Sequence, residues 1–445
     1  MSALDALRSS VSGLNAQSKK LSGISNNIAN SSTVGYKRVA TQFESLVLEG
    51  SGSGASAMAG TTSHNRVEIS KAGQVQSTGN ATDIAVNGDG FLVVNEQSGS
   101  TGKYLATRAG SFRADQFGNL VNTAGYYLQG VPLDAAGKPL NGLGGNNIDS
   151  LTTVNVNSVT VASAPSTTIS FWANLPASDT KFYTTAPTPK VSSVDYYDAL
   201  GGAQTLTYKF TPTMAASAAA PATNIWTMEV FDTATGTGAV DAAARRVGQA
   251  TLTFNASGPN AGTIDTVTAT TPAAAYNPVD GSFTVPTGNS TGPTLKLMIG
   301  ILDSASGMSQ LEGAYTETKI EKDGSAFGLL QNIGVEKDGR VMATFSNGKS
   351  RPIYQLKLAT FANADGMNPV RGDAYEMSIA AGAPRLLDPG TGAAGSVAGN
   401  ALESSNVDMG TELTNLIETQ RAYSSNATVI RTADQMLQEA NELKR

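Results

Sequence analysis

Few residues of this 445-residue chain have the types and spacing that catalysis or metal binding requires. The sequence contains no cysteine, which excludes disulfides, thiolate metal sites and cysteine nucleophiles. Its single histidine, His64, lies in the Gly- and Ser-rich stretch GSGSGASAMAGTTSHNR. A Ser-His-Asp triad there would need a nucleophile and an acid assembled around a flexible segment, so we interpret His64 as a solvated loop residue.

Three kinds of short motif resemble known binding motifs but lack the flanking residues or secondary structure that those binding sites need. Gly348-Lys349-Ser350 ends like a phosphate-binding loop, but Ala343 stands where that loop needs glycine, and a strand rather than a helix is predicted to follow. The EKDG stretches starting at 321 and 336 lack the spacing of a calcium loop, and RGD at 371–373 is too short to indicate a function. We predict no catalytic residue, no metal site and no cofactor, and hence that the protein is not an enzyme.

Composition narrows the possible partners. A net charge of −6 and a pI near 5.0, without a basic patch, argue against a nucleic-acid partner. The sequence has no apolar run long enough to cross a membrane, and its start, MSALDALRSSVSGL, lacks the features of a cleaved secretory signal. We therefore expect neither membrane insertion nor ordinary signal-peptide export.

The two ends of the chain carry a seven-residue apolar repeat, which indicates two coiled-coil helices. Ser405, Asn406 or Asp408 can cap the start of the second helix. The charged residues of segment 1–38 are mainly basic and those of segment 403–445 mainly acidic, which favours pairing of one end with the other. The predicted seam and assembly residues are Leu4, Leu7, Val11, Leu14, Leu21, Ile28, Met409, Leu413, Leu416, Tyr423, Ile430 and Leu437.

The pattern leaves two arrangements of these helices open. They can form an antiparallel hairpin on one globule, or they can form seams between subunits. Because two helices sharing one narrow seam leave most of their surface in water, such a pair would be more stable when packed among copies of itself.

The middle of the chain reads as β-structure, with hairpin turns predicted at Asn87 to Gly90, Asp338-Gly339 and Asn347-Gly348. Residues 151–310 hold both tryptophans and many Pro- and Gly-rich turns, which suits a β-sandwich or barrel. We predict a multidomain fold in which a terminal α-helical coiled coil encloses nested all-β domains. The predicted domains are residues 1–30 with 404–445 (helical), 31–75 (extended linker), 76–145 with 320–403 (β-rich) and 146–319 (inserted outer β-domain).

Four blocks of the sequence resemble the axial proteins of the bacterial flagellum, the rod and hook family, and most closely its hook proteins. The first block matches at Asn26, Asn27, Ile28, Ala29, Asn30, Thr33, Gly35, Tyr36 and Lys37. The others match at Asp83, Gly88, Gly90, Phe91, Arg108, Gly110, Phe112, Gly118, Leu120, Val121, Gly125, Ser405, Asn406, Val407, Asp408, Gln420, Arg421 and Tyr423. Ser31 and Ser32 stand where an Asn/Thr pair of residues is expected of hook proteins. The middle third of the chain carries no matching motif.

The resemblance implies a structural subunit that assembles into a curved, flexible tube and transmits torque from rod to filament as a universal joint. It implies other copies of the chain as partners, together with the distal rod protein, the hook cap and the hook-filament junction protein. It also implies export through the flagellar type III apparatus, without a cleaved signal, to the extracellular flagellum. The alternatives are a distal rod protein, which the large insert disfavours, and a secreted adhesin, which leaves the terminal heptads unexplained.

Overall fold

A computed structural model describes residues 3–48, 57–99, 101–140, 147–159, 161–272, 275–288 and 294–442. The chain divides into two compact units: residues 1–160, 330–344 and 350–445, and residues 161–329 with 345–349. The second unit begins at residue 161, whereas the insert was predicted to begin at residue 146. Leu151 and Val154 are buried in the first unit, where Leu151 packs with Val93 and Val131, so these residues belong to it.

The helices of the described residues are α1, Ala3–Ala29, and α2, Met409–Glu442. They pack against each other within one chain. A Cβ at Gly13 would lie 3.0 Å from the side-chain nitrogen of Asn426, whereas Asn27 contacts Glu412. Since contacts later in α1 fall earlier in α2, the pair is antiparallel.

The segment after α1 differs from the predicted extended linker, because it folds into a long antiparallel hairpin. Its strands are β1, Val39–Leu48, and β2, Ala57–Val67. The hairpin lies along α1: Ser12 Oγ accepts a hydrogen bond from the Thr61 amide at 3.0 Å, and Lys20 Nζ lies 5.8 Å from the centre of the Phe43 ring. The alternating pattern within residues 41–48 therefore belongs to a paired strand, and the Gly/Ser tract that follows in the sequence led to its prediction as a linker.

The remaining strands, in chain order, are β3 Val75–Ser77, β4 Ile84–Asn87, β5 Phe91–Asn95, β6 Tyr104–Thr107, β7 Phe112–Ala114, β8 Leu120–Asn122, β9 Tyr127–Pro132, β10 Thr152–Thr153, β11 Val161–Ala164, β12 Thr168–Asn174, β13 Lys190–Tyr197, β14 Ala203–Thr213, β15 Ile225–Asp232, β16 Arg246–Phe254, β17 Ile264–Thr271, β18 Tyr276–Asn277, β19 Ser282–Pro286, β20 Thr294–Met298, β21 Thr316–Lys322, β22 Ser325–Val335, β23 Arg340–Phe345, β24 Ser350–Gln355, β25 Leu358–Thr360, β26 Asn368–Val370, β27 Ala374–Glu376, β28 Arg385–Leu387, β29 Ser396–Gly399 and β30 Ala401–Glu403. Short 3₁₀ turns join several of them.

The main sheet of the first unit mixes strands from both halves of the sequence. Its order is β22-β23-β24-β9-β5-β6-β27-β26, with β7, β8, β10, β25 and β28 attached at its sides. Two further pairs, β4 with β29 and β3 with β30, are antiparallel. Each joins a strand within residues 75–87 to a strand within residues 396–403, so this unit is completed by segments that are distant in sequence.

Of the three predicted hairpin turns, one is wrong and two are confirmed. At Asp338-Gly339, the neighbouring strands β22 and β23 are joined by a turn across which the Glu336 amide donates to the Arg340 carbonyl at 2.9 Å. The strands on either side of Asn87 to Gly90 do not pair, because β4 pairs with β29 while β5 pairs with β6, β9 and β25. Gly88 and Gly90 have φ of 103° and 119°, and a Cβ at Gly88 would lie 3.0 Å from the Gly395 backbone, so this turn is a corner between sheets. The Asn347-Gly348 turn does close a hairpin, with Thr344 opposite Ser350.

The second unit is a β-sandwich, one of the two architectures predicted for the insert. One sheet has the order β18-β19-β20-β12-β21 and the other β13-β14-β15-β16-β17. Both sheets contribute to one apolar core, in which Trp226 is fully buried and Phe171 stacks on Tyr208 with ring centres 4.3 Å apart. The first part of β22 pairs with β11: Val161 lies opposite Leu329, the first and last residues of the long segment of this unit, and Ala164 lies opposite Ser325.

Candidate assembly site

The fully buried residues of α1 and α2 are mostly small or polar: Ser10, Ala16, Ile24, Asn27, Glu412, Thr419 and Ala433. Apart from Ile24, none of these buries a large apolar side chain. Burial of these residues therefore removes little apolar surface from water and contributes correspondingly little free energy.

The predicted seam residues are not among these fully buried residues. Leu7, Leu14, Leu21, Ile28, Leu416 and Ile430 are half-buried. Val11, Met409, Leu413 and Tyr423 are exposed, by 42 to 48%. The side chains of Leu4 and Leu437 lie outside those that the structure describes. The structure thus answers the question of pairing in part: α1 and α2 pair within the chain, but their apolar stripes stay open.

Helical geometry places the two stripes on the same side of the helix pair. Successive residues of a helix are rotated by about 100° around its axis. Counted along each chain direction, the α1 stripe through Leu7, Leu14 and Leu21 is turned to one side of the surface that faces α2. The α2 stripe through Met409 and Leu413 is turned in the same sense from the surface that faces α1. Because the helices are antiparallel, equal senses of rotation turn both stripes toward one face. We call this surface the apolar face; Ile417 extends it on α2 and is 51% exposed.

Below the helix pair, a cluster of polar side chains joins α1 and α2 to the β-strands. We call it the polar junction; its members are Asn27, Tyr36, Lys37, Arg38, Arg108, Glu403, Asn406 and Glu412. Asn27 is fully buried. Its amide nitrogen donates to the Val39 carbonyl at 2.9 Å and to Glu412 at 3.2 Å, while its oxygen accepts from the Val39 amide at 2.8 Å and from the Tyr36 hydroxyl at 3.2 Å. One side chain thereby fixes the end of α1, the start of β1 and the start of α2.

Glu403 is the centre of the polar junction. It is fully buried and accepts from Lys37 Nζ at 2.6 Å, from Arg108 Nη1 at 2.9 Å and from the Gly73 amide at 2.7 Å. Arg108 also donates to the Gly88 carbonyl at 2.8 Å, and Lys37 to the Lys71 carbonyl at 2.6 Å. Since Glu403 ends β30 and both cations come from distant segments, this cluster connects three parts of the sequence.

The charges in the cluster shift one another's ionisation. Burial alone would raise the pKa of Glu403, but Arg108 and Lys37 beside it outweigh burial and hold the pKa below its ordinary value. Burial lowers the pKa of Lys37, and the attraction of Glu403 only partly offsets this. Glu403 is therefore the carboxylate that faces the two buried basic side chains of Lys37 and Arg108.

A second set of contacts in the polar junction anchors the start of α2. Arg38 Nε donates to Glu412 at 2.6 Å, and the Arg38 amide donates to Asn406 Oδ1 at 2.7 Å. Of the three candidate caps, Asp408 is the one that accepts from the Thr411 amide, at 2.7 Å. That hydrogen bond and neighbouring amides lower the pKa of Asp408.

The residues of the family motif have structural roles near this junction. Asn30 donates to the Asn26 carbonyl at 2.9 Å and accepts from Thr33, which ends α1 just after Ala29. Gly35 has φ of 74°, and a Cβ there would come within 2.7 Å of the Ala109 amide nitrogen, so the segment can lie against the β-strands only with glycine at this position.

The second matched block, which contains Gly90 and Phe91, packs against the side chain of Arg108. Phe91 is buried, and its ring centre lies 4.9 Å from the Arg108 guanidinium carbon. A Cβ at Gly90 would lie 3.1 Å from Leu358. The block therefore provides both a corner and a packing surface for the buried cation.

The motifs that suggested chemistry do not form sites. His64 lies in β2, not in a loop, and its exposed ring is 3.6 Å from Glu44. Gly348 and Lys349 lie in a turn, Ser350 begins β24, and RGD forms the turn between β26 and β27. Among the described residues, no group of acidic and histidine side chains is arranged to hold a metal ion, and no helix is long and apolar enough to cross a membrane.

The sequence did not reveal that Glu403 is the centre of the junction. Lys37, Arg108 and Asn406 belonged to the matched blocks, but Glu403 belonged to none, and its partners lie 366 and 295 positions away in the sequence. One sequence feature could have indicated such a cluster: single charged residues stand in blocks of otherwise apolar or small residues. This pattern is typical of buried charges that pair with each other.

Family models match most of the chain in order. They are the flagella basal body rod protein (residues 7–37), the flagellar hook protein FlgE/F/G D1 domain (85–169), the flagellar basal body protein FlaE D2 domain (172–325) and the flagellar basal body rod FlgEFG protein C-terminal (398–443). The chain is also 36% identical over 448 residues to the flagellar hook protein FlgE of Rhizobium meliloti, with all of both chains covered. The chain belongs to the flagellar hook protein family. The hook protein of Brucella abortus is 36% identical over 445 residues, and that of Escherichia coli 30% over 439 residues with 97% of this chain and 98% of the relative covered.

Membership in the hook family decides between the readings of the sequence. This is a family of structural proteins of the flagellum, and full-length matches to hook proteins support a hook subunit over a distal rod protein or an adhesin. The apolar face lies on the segments that the rod-protein model at the N-terminus and the rod/hook C-terminal model match.

Proposed function

We propose that this chain polymerises through the apolar face into the flexible tube of the flagellar hook, and that it has no catalytic function. The observation that carries the proposal is that α1 and α2 pair within the chain and still leave Val11, Met409, Leu413 and Ile417 exposed. Exposed apolar side chains on a helix pair indicate a binding surface, and the partner in this proposal is another copy of the chain.

The weak contact between α1 and α2 suits assembly by addition of subunits. Most helical stability comes from packing, and the small side chains of this contact supply little of it. We propose that the helices of a free subunit are only partly ordered and become fully ordered when the apolar face is buried by neighbours. The ordering cost then falls at assembly, which limits premature polymerisation.

The remaining partners and the route out of the cell rest on the family. We propose that the distal rod protein and the hook-filament junction protein bind the two ends of the tube, and that the hook cap directs subunit addition. We propose export by the flagellar type III apparatus without a cleaved signal, to the extracellular flagellum. Bending of the tube, and hence its use as a universal joint, is assigned to movement between outer β-sandwich units while the terminal helices hold the core.

The test compares polymerisation of full-length variants by electron microscopy, with circular dichroism before and after. Leu413→Asp places a charge on the apolar face, and we expect it to abolish tubes because the charge would be buried without a partner. Ser425→Asp changes an exposed residue of the same helix that lies about 120° around the helix from Leu413, and we expect tubes from this control.

The two measurements separate assembly from folding. Wild-type tubes with a gain of helix, together with a folded but monomeric Leu413→Asp variant, support the proposal. Normal tubes from Leu413→Asp would contradict the role of the apolar face. A wild-type chain that stays monomeric with fully formed helices would contradict polymerisation itself.

A further inference from the structure

The turn between β23 and β24 belongs to a different unit from most of its own two strands. Residues 345–349 group with the second unit, whereas residues 330–344 and 350–445 group with the first. Because the first unit consists of three segments of the chain and the second of two, the chain passes between the units at four places. A simple insertion needs only two passages, so this turn is an additional attachment of the inserted unit.

Asn347, in this turn, binds both of the strands at which the long segment of the second unit begins and ends. Its side-chain nitrogen donates to the Ala326 carbonyl of β22 at 2.6 Å and to the Ala162 carbonyl of β11 at 3.2 Å. Its side-chain oxygen accepts from the Lys349 amide at 3.1 Å. The nitrogen therefore holds the two strands, while the oxygen closes the turn itself.

The pairing of β11 with β22 is irregular at the place where Asn347 binds. Ala162 lies opposite Gly328 and Ala164 opposite Ser325, so two residues of β22 face one residue of β11 between these pairs. Such a bulge interrupts the ladder of backbone hydrogen bonds. Asn347 donates to one carbonyl of each strand at this bulge, where the ladder alone holds the strands least well.

The residues around Asn347 fit the turn closely against β22. A Cβ at Gly328 would lie 2.5 Å from Cγ of Asn347, so the strand can approach the asparagine this closely only with glycine there. The Ser346 amide donates to the Leu329 carbonyl at 2.9 Å, and Ser346 Oγ accepts from the Leu329 amide at 3.1 Å. The backbone and the side chains of the turn thus both bind the end of the segment that forms the second unit.

We propose that the β23–β24 turn is a clasp that restrains the second unit at its base, and that Asn347 is the part of the clasp that can release. Two hydrogen bonds contribute only modestly to stability in water, so the clasp can open locally while both cores stay folded. The inference rests on the proposed function, in which the tube bends, and it names an element that resists this bending. A closed clasp makes each subunit stiffer, and an open clasp makes it more compliant.

Asn347→Asp opens the clasp selectively. The carboxylate keeps an acceptor for the Lys349 amide, so the turn stays closed, but it removes the donor and faces two carbonyl oxygens. We expect the amide hydrogen of Leu329 to exchange about tenfold faster in the full-length variant, because two hydrogen bonds at the base are lost. The matched control is Asn277→Asp, since Asn277 makes the corresponding turn bond, from the Val279 amide at 3.0 Å, and we expect unchanged exchange at Leu329.

The absence of cysteine from the sequence allows the clasp to be released and locked in one protein. In Gly328→Cys with Asn347→Cys, the two Cβ atoms are no more than about 4 Å apart, which is the separation found in disulfides. Full-length tubes are imaged by electron microscopy when reduced and after oxidation, and their persistence length is measured. We expect the persistence length of the reduced tubes to be about half that of wild type, and oxidation to restore or exceed the wild-type value, because a hinge with one restraint fewer yields more easily.

The control for the disulfide itself is Ser193→Cys with Thr207→Cys. These residues lie opposite each other on β13 and β14, so their disulfide joins two strands of the second unit that are not part of the clasp. We expect the persistence length of these tubes to be the same in the reduced and oxidised forms.

Each outcome decides the inference. Faster exchange at Leu329 in Asn347→Asp, together with more flexible tubes that oxidation of the clasp pair stiffens, supports the clasp. Unchanged exchange at Leu329, or a persistence length that does not change in Asn347→Asp tubes, overturns the clasp and leaves the proposed function intact. No tubes from the wild-type chain would overturn both. If the clasp pair alone fails to fold, exchange and tube stiffness of Asn347→Asp against Asn277→Asp decide the matter.

Discussion

At the scale of single residues, the polar junction depends on one carboxylate. Glu403 compensates Lys37 and Arg108, and all three side chains are almost completely buried. A buried ion pair contributes little net stability compared with an apolar replacement, but removing one member leaves the other charge uncompensated, at a cost of about 3–5 kcal/mol.

We therefore expect Glu403→Gln to lower the free energy of unfolding of the first unit by about 3–5 kcal/mol, since two buried cations would remain without an anion. Denaturant titration of the full chain, followed by circular dichroism, measures this change. The control is Glu376→Gln, whose partner Lys103 is exposed, and we expect a change of about 0–1 kcal/mol. Equal losses for the two variants would contradict a special role for Glu403.

The same carboxylate predicts a dependence on pH. The pKa of Glu403 is lower in the folded chain than in the unfolded chain, so its contribution is present above the unfolded value of about 4.5 and is lost as the pH falls through the folded pKa. We expect the difference in unfolding free energy between wild type and Glu403→Gln to be constant from neutral pH to about 5 and to shrink in more acidic solution. A difference that stayed constant down to pH 3 would contradict this assignment.

At the scale of elements, the two helices are readable from the sequence, but their contact is not. The seven-residue repeat located α1 and α2 to within a few residues, because helical periodicity is a local property. It did not show that Ser10, Gly13 and Thr419 face the partner helix, since small polar residues carry no periodic signal. The side of the helix pair left for other copies could be seen only once this contact was known.

For the strands, too, pairing between neighbours in the sequence was predictable, whereas pairing between distant segments was not. The turn at Asn347-Gly348 closes the predicted hairpin because its strands are neighbours in sequence and in space. The turn at Asn87 to Gly90 has equally strong hairpin residues, but β4 pairs with β29, more than 300 residues later. The sandwich of the insert was predictable as a class from its turns and tryptophans, whereas its limits depended on where Leu151 and Val154 are buried.

The start of α2 offers a prediction at this scale. Asp408→Ala removes the acceptor of the Thr411 amide, so the first turn of α2 should fray and its amide hydrogens should exchange a few times faster. Hydrogen exchange resolved to Thr411 and Glu412 measures this. Asp408→Asn keeps a side-chain oxygen in place and should restore most of the protection; unchanged exchange in the alanine variant would show that Asp408 does not cap the helix.

At the scale of the whole molecule, the two units have separate cores and the chain crosses between them at a defined place. The large apolar cluster of the sandwich contains residues 169–308 only, and the clusters around Phe91 and Val93 belong to the first unit. Ala164 and Ser325 are paired across β11 and β22, so the two ends of the segment between them are adjacent.

This geometry allows a precise deletion. Residues 165–324 can be replaced by Asn-Gly, a two-residue turn suited to joining paired antiparallel strands. We expect the first unit to fold, because its core and polar junction are untouched, and tubes to form with altered curvature. Electron microscopy of the tubes measures this; tubes with normal curvature and flexibility would show that the outer unit does not govern bending.

The pairing of Ala164 with Ser325 also has a consequence for how such genes change over time. A stretch of coding sequence inserted, lost or exchanged between these two codons changes the second unit but leaves the strand pairing at its base in place. Domain insertion is tolerated where the ends of the inserted segment meet. The second unit can therefore diverge in length and sequence between relatives while the strands that carry it stay the same.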